Sequence, residues 1–67
     1  SITPAGSNLQ VIRTAIGAAQ RVALTLDRSG WPGMVGTIAG DDTIFVATES
    51  AHAQKNLITR IEHATRS

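Results

Sequence analysis

The fold is decided by the stretch MVGTIAGDDTIFVAT, which occupies residues 34–48. Its first six residues, 34–39, and its last six, 43–48, are rich in Val, Ile and Thr, whose branched side chains favour β-strands. Between them, Gly40, Asp41 and Asp42 are typical turn residues. The stretch therefore predicts an antiparallel hairpin of two strands.

A helix is predicted before this hairpin, beginning at Gly17, because apolar residues recur there at steps of three and four. The apolar stripe consists of Ala19, Val22, Ala23 and Leu26. Thr14 is a candidate N-cap for this helix. Gly30 is expected to end it in a left-handed conformation, and Pro32 prevents its continuation.

Two further elements complete a predicted order of strand, helix, strand, strand, helix. Residues 9–14 alternate apolar and polar side chains and predict the first of these strands. Residues 1–3 are interpreted as the end of a preceding strand, with residues 4–8 as a hairpin loop. Ser50 is expected to cap the last helix, whose inward stripe is Leu57, Ile58, Ile61 and Ala64.

The fold class that follows is α+β, with a small, mostly antiparallel sheet of three to four strands and two helices packed on one face. The chain, residues 1–67, is at most a single domain, because independent domains usually have about 100–150 residues. A chain this short buries only about 60% of the surface that its unfolded form exposes. It contains no cysteine, which excludes both a disulfide framework and a thiolate zinc site. With 42% hydrophobic residues and one sheet face left uncovered, we expect a homo-oligomer.

The charge pattern excludes some classes of partner. Six Lys and Arg residues against five Asp and Glu residues give a formal net charge of +1, too small to attract nucleic acid or anionic lipid. No apolar run reaches the roughly 20 residues of a membrane span, and residues 1–6 lack the features of a signal peptide. We therefore expect a cytoplasmic protein without a membrane partner. Because the sequence does not begin with Met, we interpret it as part of a longer protein.

Asp41 and Asp42 are the most prominent polar feature of the sequence. A hairpin turn favours Asp because its side chain accepts hydrogen bonds from nearby backbone N–H groups, which is a purely structural explanation. Alternatively, the two carboxylates form a cation site, because a guanidinium, an ammonium group or a metal ion beside them would relieve their mutual repulsion. The residues alone leave both interpretations open.

Gln20 and Asp27 lie seven residues apart on the first predicted helix, so they share a face and are about 10.5 Å apart along its axis. A solvated polar face is the simpler interpretation. If that face is directed at Thr37 and Ala39 of the adjacent strand, it offers an amide, a carboxylate, a hydroxyl and backbone groups. Such a set would suit the zwitterionic end of an amino acid.

Other kinds of chemistry find little support. His52 and His63 lie eleven residues apart rather than the three or four of paired helical metal ligands, so we expect surface histidines and no metal site. The absence of Cys and of a Ser in a G-x-S-x-G context predicts no nucleophile and no enzymatic activity. The sequence GWPG at residues 30–33 matches an RNA-binding G-x-x-G clamp only formally, because that clamp joins two helices.

The run VGTIAGDDTIF at residues 35–45, with GAAQ at residues 17–20 before it, closely resembles the C-terminal domain of bacterial arginine repressors. The resemblance covers nearly the whole chain, and its G-T-I-A-G-D-D-T segment is long and specific. The spacing from Gln20 through Asp27 to the two aspartates also fits. Two departures are Ile16, where family members usually carry Pro, and the shortness of the usual first strand.

The resemblance implies a ligand and an assembly. In that family the domain forms trimers that pair into hexamers, and free L-arginine binds between the two trimers as corepressor, with no other cofactor. Carried over to this sequence, the residues that would hold the α-amino and α-carboxylate end are Gln20, Asp27, Thr37 and Ala39. Asp41 and Asp42 would receive the guanidinium, at least one of them from the opposite trimer. The family reads operator DNA through an N-terminal winged-helix domain that this sequence lacks.

Three hypotheses result. The leading one is an L-arginine-sensing oligomerisation domain of a transcriptional repressor of arginine metabolism. The second is a pure assembly domain, in which the two aspartates meet Arg21 or Arg28 of a neighbouring subunit and no free ligand binds. The third, a small enzyme domain that uses the aspartates with a metal, has the least support.

Overall fold

The computed structural model describes the backbone of residues 1–66 and the side chains of residues 1–63. The strands in this range are β1 (Ile2–Pro4), β2 (Leu9–Arg13), β3 (Met34–Ala39) and β4 (Thr43–Thr48), and the helices are α1 (Ala19–Ser29) and α2 (Ala51–Arg66). The α+β class is confirmed, and both strands of the predicted hairpin have the expected bounds. The strand predicted for residues 1–3 exists and begins one residue later.

The four strands form one antiparallel sheet in the order β1-β2-β4-β3. The central pairing of β2 with β4 sets Arg13 opposite Thr43. Because Arg13 ends β2 and Thr43 begins β4, this register places the end of β2 beside the turn that joins β3 to β4.

The beginning of α1 differs from the prediction. Its N-cap is Ala18, which makes no side-chain cap, and the hydroxyl of Thr14 donates instead to the carbonyl oxygen of Ala15. The N–H groups of Gly17 and Ala19 donate to the carbonyl oxygen of Asp41, at 3.1 and 3.2 Å. A backbone carbonyl from a distant turn thus satisfies the N–H of Ala19, one of the first helical donors, and the N–H of Gly17 just before the helix.

The other predicted helix boundaries are confirmed. Gly30 ends α1 with φ 68°, and the N–H of Ala53 donates to the Ser50 hydroxyl at 3.0 Å, as an N-cap requires. Gly33 has φ 89°, and a Cβ at that position would lie 2.5 Å from the Cβ of Ala53. The second glycine of the GWPG sequence therefore permits the close approach of α2, which explains it without an RNA ligand.

The core lies between the two helices and one face of the sheet. Its buried residues are Ile12, Ala19, Ala23, Leu26, Ile44, Val46 and Leu57. The predicted stripe of α1 is confirmed, with Val22 partly buried. On α2, Leu57 is buried and Ile58 and Ile61 are half-buried, while Ala64 lies outside the described side chains.

Two glutamines are also buried in this layer. The amide nitrogen of Gln54 donates to the carbonyl oxygens of Gly6 and Leu9, at 2.9 and 2.8 Å. The amide of Gln10, which is 0% exposed, has no hydrogen-bond partner among the described residues. The sequence did not predict either burial.

The opposite face of the sheet is exposed and apolar. Val11, Phe45 and Ile38 lie side by side across β2, β4 and β3, and Phe45 and Ile38 are 48% and 76% exposed. We call these three residues the open-face row. Val35, at an irregularity in the pairing of β3, is also exposed. Among the described residues, no helix combines the length and the apolar character needed to cross a bilayer.

Candidate ligand-binding site

The turn between β3 and β4 is fastened to the segment that leads into α1. The carbonyl oxygen of Asp41 accepts the two hydrogen bonds from the beginning of α1, and that of Asp42 accepts the N–H of Thr14 at 2.7 Å. The turn itself is closed by the N–H of Gly40, which donates to the carbonyl oxygen of Thr43 at 2.9 Å. These backbone bonds fix the position of both aspartates relative to α1.

The two carboxylates of the turn have different surroundings. The hydroxyl of Thr43 donates to Oδ1 of Asp42 at 2.9 Å, and Nη2 of Arg13 lies 3.5 Å from Oδ2. The hydrogen bond from Thr43, partly opposed by desolvation and assisted by the charge of Arg13, lowers the pKa of Asp42. The carboxylate of Asp41 is exposed and has no hydrogen bond or ion pair to residues 1–63.

Asp27 and Thr37 form a second polar contact, between α1 and β3. The hydroxyl of Thr37 donates to the Asp27 carboxylate and lies 2.9 Å from Oδ1 and 3.1 Å from Oδ2. α1 packs on β3, and Thr37 lies opposite the buried Val46 on the face of the sheet that the helices cover. The Asp27 side of α1 is therefore directed at Thr37, an arrangement that the sequence pattern left open.

Gln20 and Ala39 lie near the other end of the same α1 and β3 pair. Gln20 is exposed in the first turn of α1. Ala39 is half-buried, packs against the core, and immediately precedes the acidic turn. All six predicted residues thus lie along α1, the facing side of β3 and the turn that β3 leads into.

Sequence reasoning missed two features of this region. Leu24 is 48% exposed and shares the α1 face with Gln20 and Asp27, at steps of four and three residues. Its position outside the apolar stripe of α1 was the sequence signal that could have placed Leu24 on this exposed face. Arg13 could not be assigned to the region from the sequence, because its approach to Asp42 depends on the register of β2 against β4.

The surface of the described chain contains shallow cavities near this region but no closed site around it. A cavity of about 240 Å³ beside Asp27 is lined by Leu26, Asp27, Gly30, Trp31, Met34, Val35 and Gly36. A larger cleft of about 450 Å³, between α1, α2, β1 and the end of β2, includes none of the six predicted residues. Asp27, Asp41 and Gln20 are exposed, so the described chain alone does not enclose a ligand there.

The histidines and carboxylates of the described residues do not form a metal site. His52 and His63 are both exposed on α2. Among the described residues there is no group of three or more His, Cys, Asp or Glu side chains arranged to hold a metal ion.

Comparison with known proteins identifies the family. The profile described as "Arginine repressor, C-terminal domain" matches residues 3–63. The arginine repressor of Caldicellulosiruptor bescii is 51% identical over 55 residues, which cover 82% of this chain and 36% of that protein. The arginine repressor of Koribacter versatilis is 51% identical over 55 residues, covering 82% of this chain and 37% of that protein.

A third relative, the arginine repressor of Solibacter usitatus, is 50% identical over 60 residues, which cover 84% of this chain and 41% of that protein. The chain thus spans well under half the length of the relatives that it matches. The matched profile includes α1, the hairpin and the acidic turn. The chain belongs to the family of arginine repressor C-terminal domains.

Proposed function

We propose that this chain is the L-arginine-sensing oligomerisation domain of a transcriptional repressor of arginine metabolism. L-arginine binds as corepressor between two trimers and stabilises the hexamer that is competent to bind operator DNA. Gln20, Asp27, Thr37 and Ala39 hold the α-amino and α-carboxylate end of the ligand, and Asp41 and Asp42 face its guanidinium. The function is allosteric rather than catalytic, and the proposal needs no cofactor besides the ligand. DNA is contacted through a winged-helix domain that these residues do not include.

The observation that carries the proposal is the attachment of the acidic turn to the beginning of α1. Two backbone hydrogen bonds to the Asp41 carbonyl fix the turn against the helix that bears Gln20 and Asp27. The same helix is joined to β3 through Asp27 and Thr37. The α1 residues proposed for the α-amino and α-carboxylate end and the acidic turn proposed for the guanidinium are therefore fixed relative to each other in each subunit. A ligand between two trimers would draw on both sets, one from each side, and such prior ordering favours ligand binding.

The exposure of these groups supports a site completed by a second subunit. Asp41, Asp27 and Gln20 are all exposed in the single chain. A ligand that also contacts another chain becomes enclosed and adds its binding free energy to association of the chains. By linkage, association must then tighten ligand binding by the same factor. A guanidinium suits such a site because it presents a planar fork of donors to carboxylates.

The open-face row supports the oligomeric part of the proposal. Val11, Phe45 and Ile38 form a continuous apolar strip on the side of the sheet opposite the helices. Contiguous exposed apolar surface of this kind marks interfaces in proteins. A second copy of the chain is the partner because the resemblance to this family implies trimers and hexamers.

Sedimentation velocity with and without L-arginine tests the proposal. The ligand is added at about 1 mM, well above an ordinary ligand dissociation constant. We expect a trimer that becomes a hexamer, or a hexamer that persists on dilution only when arginine is present. A chain whose sedimentation does not respond to arginine contradicts the proposal. Citrulline is the matched control, since it keeps the shape of arginine and lacks its charge.

One observation favours the alternative of a pure assembly domain. Asp42 already has an arginine side chain beside it, that of Arg13 in the same chain. An assembly domain would add a similar contact between subunits, from Arg21 or Arg28 of a neighbouring copy to the two aspartates, and would bind no free amino acid. Calorimetric titration with L-arginine separates the two functions, because saturable heat excludes a domain that only assembles.

A further inference from the structure

Arg13 lies outside the six predicted ligand residues but contacts one of them. It ends β2 and lies opposite Thr43, the residue that follows Asp42. Nη2 of Arg13 is 3.5 Å from Oδ2 of Asp42, while the hydroxyl of Thr43 donates to the other carboxylate oxygen. The residue after Arg13, Thr14, also holds the Asp42 backbone by its N–H. Asp42 is therefore restrained on several sides within its own chain.

Asp41 lacks any such partner. Its carbonyl oxygen accepts hydrogen bonds from the beginning of α1, but its carboxylate is exposed and makes no hydrogen bond or ion pair with residues 1–63. The turn thus presents one carboxylate whose charge is balanced and one whose charge is not. Adjacent carboxylates repel each other, and a cation beside one of them reduces that repulsion.

We propose that Arg13 is a positioning residue that balances the charge of Asp42 and leaves Asp41 as the carboxylate that contacts a ligand guanidinium. This inference rests on the proposed function and refines it. The ligand then meets a turn with a net charge of about −1 rather than −2, so Arg13 limits the affinity of the site. The side chains of Arg13 and Asp42 are 62% and 40% exposed, and the effect is accordingly modest and sensitive to salt.

Calorimetry on three variants tests the role of Arg13 in ligand binding. Arg13→Gln is expected to tighten L-arginine binding about two- to fivefold at low salt, the range of an exposed charge pair, and much less at high salt. Arg13→Lys should bind like the wild type because it keeps the charge. Lys55→Gln removes the same charge from an exposed position on α2 and should change the affinity less than Arg13→Gln does. Unchanged low-salt affinity in Arg13→Gln overturns the inference.

A double-mutant cycle separates charge balance from direct contact. Asp42→Asn should weaken binding, because the unbalanced Arg13 then repels the ligand. Adding Arg13→Gln to Asp42→Asn returns the turn to a net charge of about −1, so the double variant should regain the wild-type affinity, about two- to fivefold tighter than Asp42→Asn alone. If Arg13 had a merely structural role, both Arg13→Gln and Asp42→Asn would instead weaken L-arginine binding. If the double variant binds clearly more weakly than the wild type, Asp42 contacts the ligand itself and the inference is wrong.

A measurement without ligand distinguishes failure of this inference from failure of the proposed function. Wild-type protein that binds no L-arginine would overturn the proposed function. Titration of the Asp42 carboxyl by NMR still tests Arg13, since Arg13 is the charged side chain that forms an ion pair with that carboxyl. The pKa of Asp42 should rise in Arg13→Gln and remain unchanged in Lys55→Gln. An unchanged pKa in Arg13→Gln overturns the charge balance.

Discussion

The hydroxyl of Thr37 on β3 lies 2.9 and 3.1 Å from the two carboxylate oxygens of Asp27 on α1. This contact joins the helix to an edge strand of the sheet, ten residues away in the chain. It also orients Asp27 while leaving its side chain exposed to an approaching ligand. The same hydrogen bond can therefore contribute to the packing of α1 and to the proposed ligand site.

Thr37→Val removes this hydrogen bond while preserving the shape of the side chain. We expect L-arginine binding to weaken up to about tenfold, as expected for one hydrogen bond to a charged group. Stability should change by less than about 1 kcal/mol, because the bond is exposed. Calorimetry and urea denaturation measure the two effects. Thr25→Val is the control, since the Thr25 hydroxyl bonds only to the carbonyl oxygen of Arg21 within α1. Equal losses of affinity in both variants would contradict the role of Thr37.

The hairpin of residues 34–48 could be predicted from the sequence because its signals are local. Branched side chains define both strands, and Gly40, Asp41 and Asp42 define the turn between them. The ends of the helices at Gly30 and Ser50 were predictable for the same reason, since each depends on a single residue type.

The misassigned cap and the position of Arg13 share one physical cause. The beginning of α1 is bonded to the carbonyl of Asp41, and Arg13 meets Asp42 only because β2 pairs with β4. Both contacts join segments that are far apart in the chain, and neither is encoded in a local pattern. Of the candidate site, sequence patterns indicated the polar residues, but the tertiary structure determines their partners.

Gln10 shows a different limit of sequence reasoning. Its place between Leu9 and Val11 in an alternating strand predicts a solvent-facing side chain, but the structure buries it. Leu9 and Val11 instead lie half-buried on the other face. The alternation fails as a guide to burial because that other face is itself apolar, as the exposed Phe45 and Ile38 show.

Gln10→Met is expected to stabilise the protein. The Gln10 amide is fully buried without a partner, so replacing it with an apolar group of similar size removes a desolvation cost of roughly 1–3 kcal/mol. Gln54→Met is the matched control and should destabilise, because the Gln54 amide donates to the carbonyl oxygens of Gly6 and Leu9. Urea denaturation midpoints measure both changes. Destabilisation by Gln10→Met would show that the amide has a partner in solution.

Acid should remove a stabilising contribution of Asp42. The Thr43 hydrogen bond, with the smaller help of Arg13, lowers the folded-state pKa below the ordinary value of 3.8. Stability from this group is therefore fully present above about pH 4 and is lost as the pH falls through the lowered pKa. Asp42→Asn should lose less stability than the wild type between pH 5 and pH 2, as measured by thermal unfolding across that range. Parallel losses in the two proteins would contradict the assignment.

Gly33→Ala should destabilise the fold by more than about 1 kcal/mol, because φ is positive and the new Cβ would collide with Ala53 on α2. Gly6→Ala provides the matched control. Gly6 also has positive φ, 77°, but nothing lies within 4 Å of its added Cβ. Thermal unfolding of the two variants separates backbone strain from collision. Equal losses would mean that α2 does not approach Gly33 as closely as the structure shows.

Polar substitution of the open-face row should abolish assembly and preserve the fold of the single chain. The double variant Ile38→Ser and Phe45→Ser removes two neighbouring apolar side chains that make no part of the core. We expect smaller species in sedimentation velocity, with a circular dichroism spectrum like that of the wild type. Ile16→Ser is the control, because Ile16 is 86% exposed but lies outside the sheet. If the double variant assembles as the wild type does, the subunits meet through another surface, and the apolar row requires a different partner.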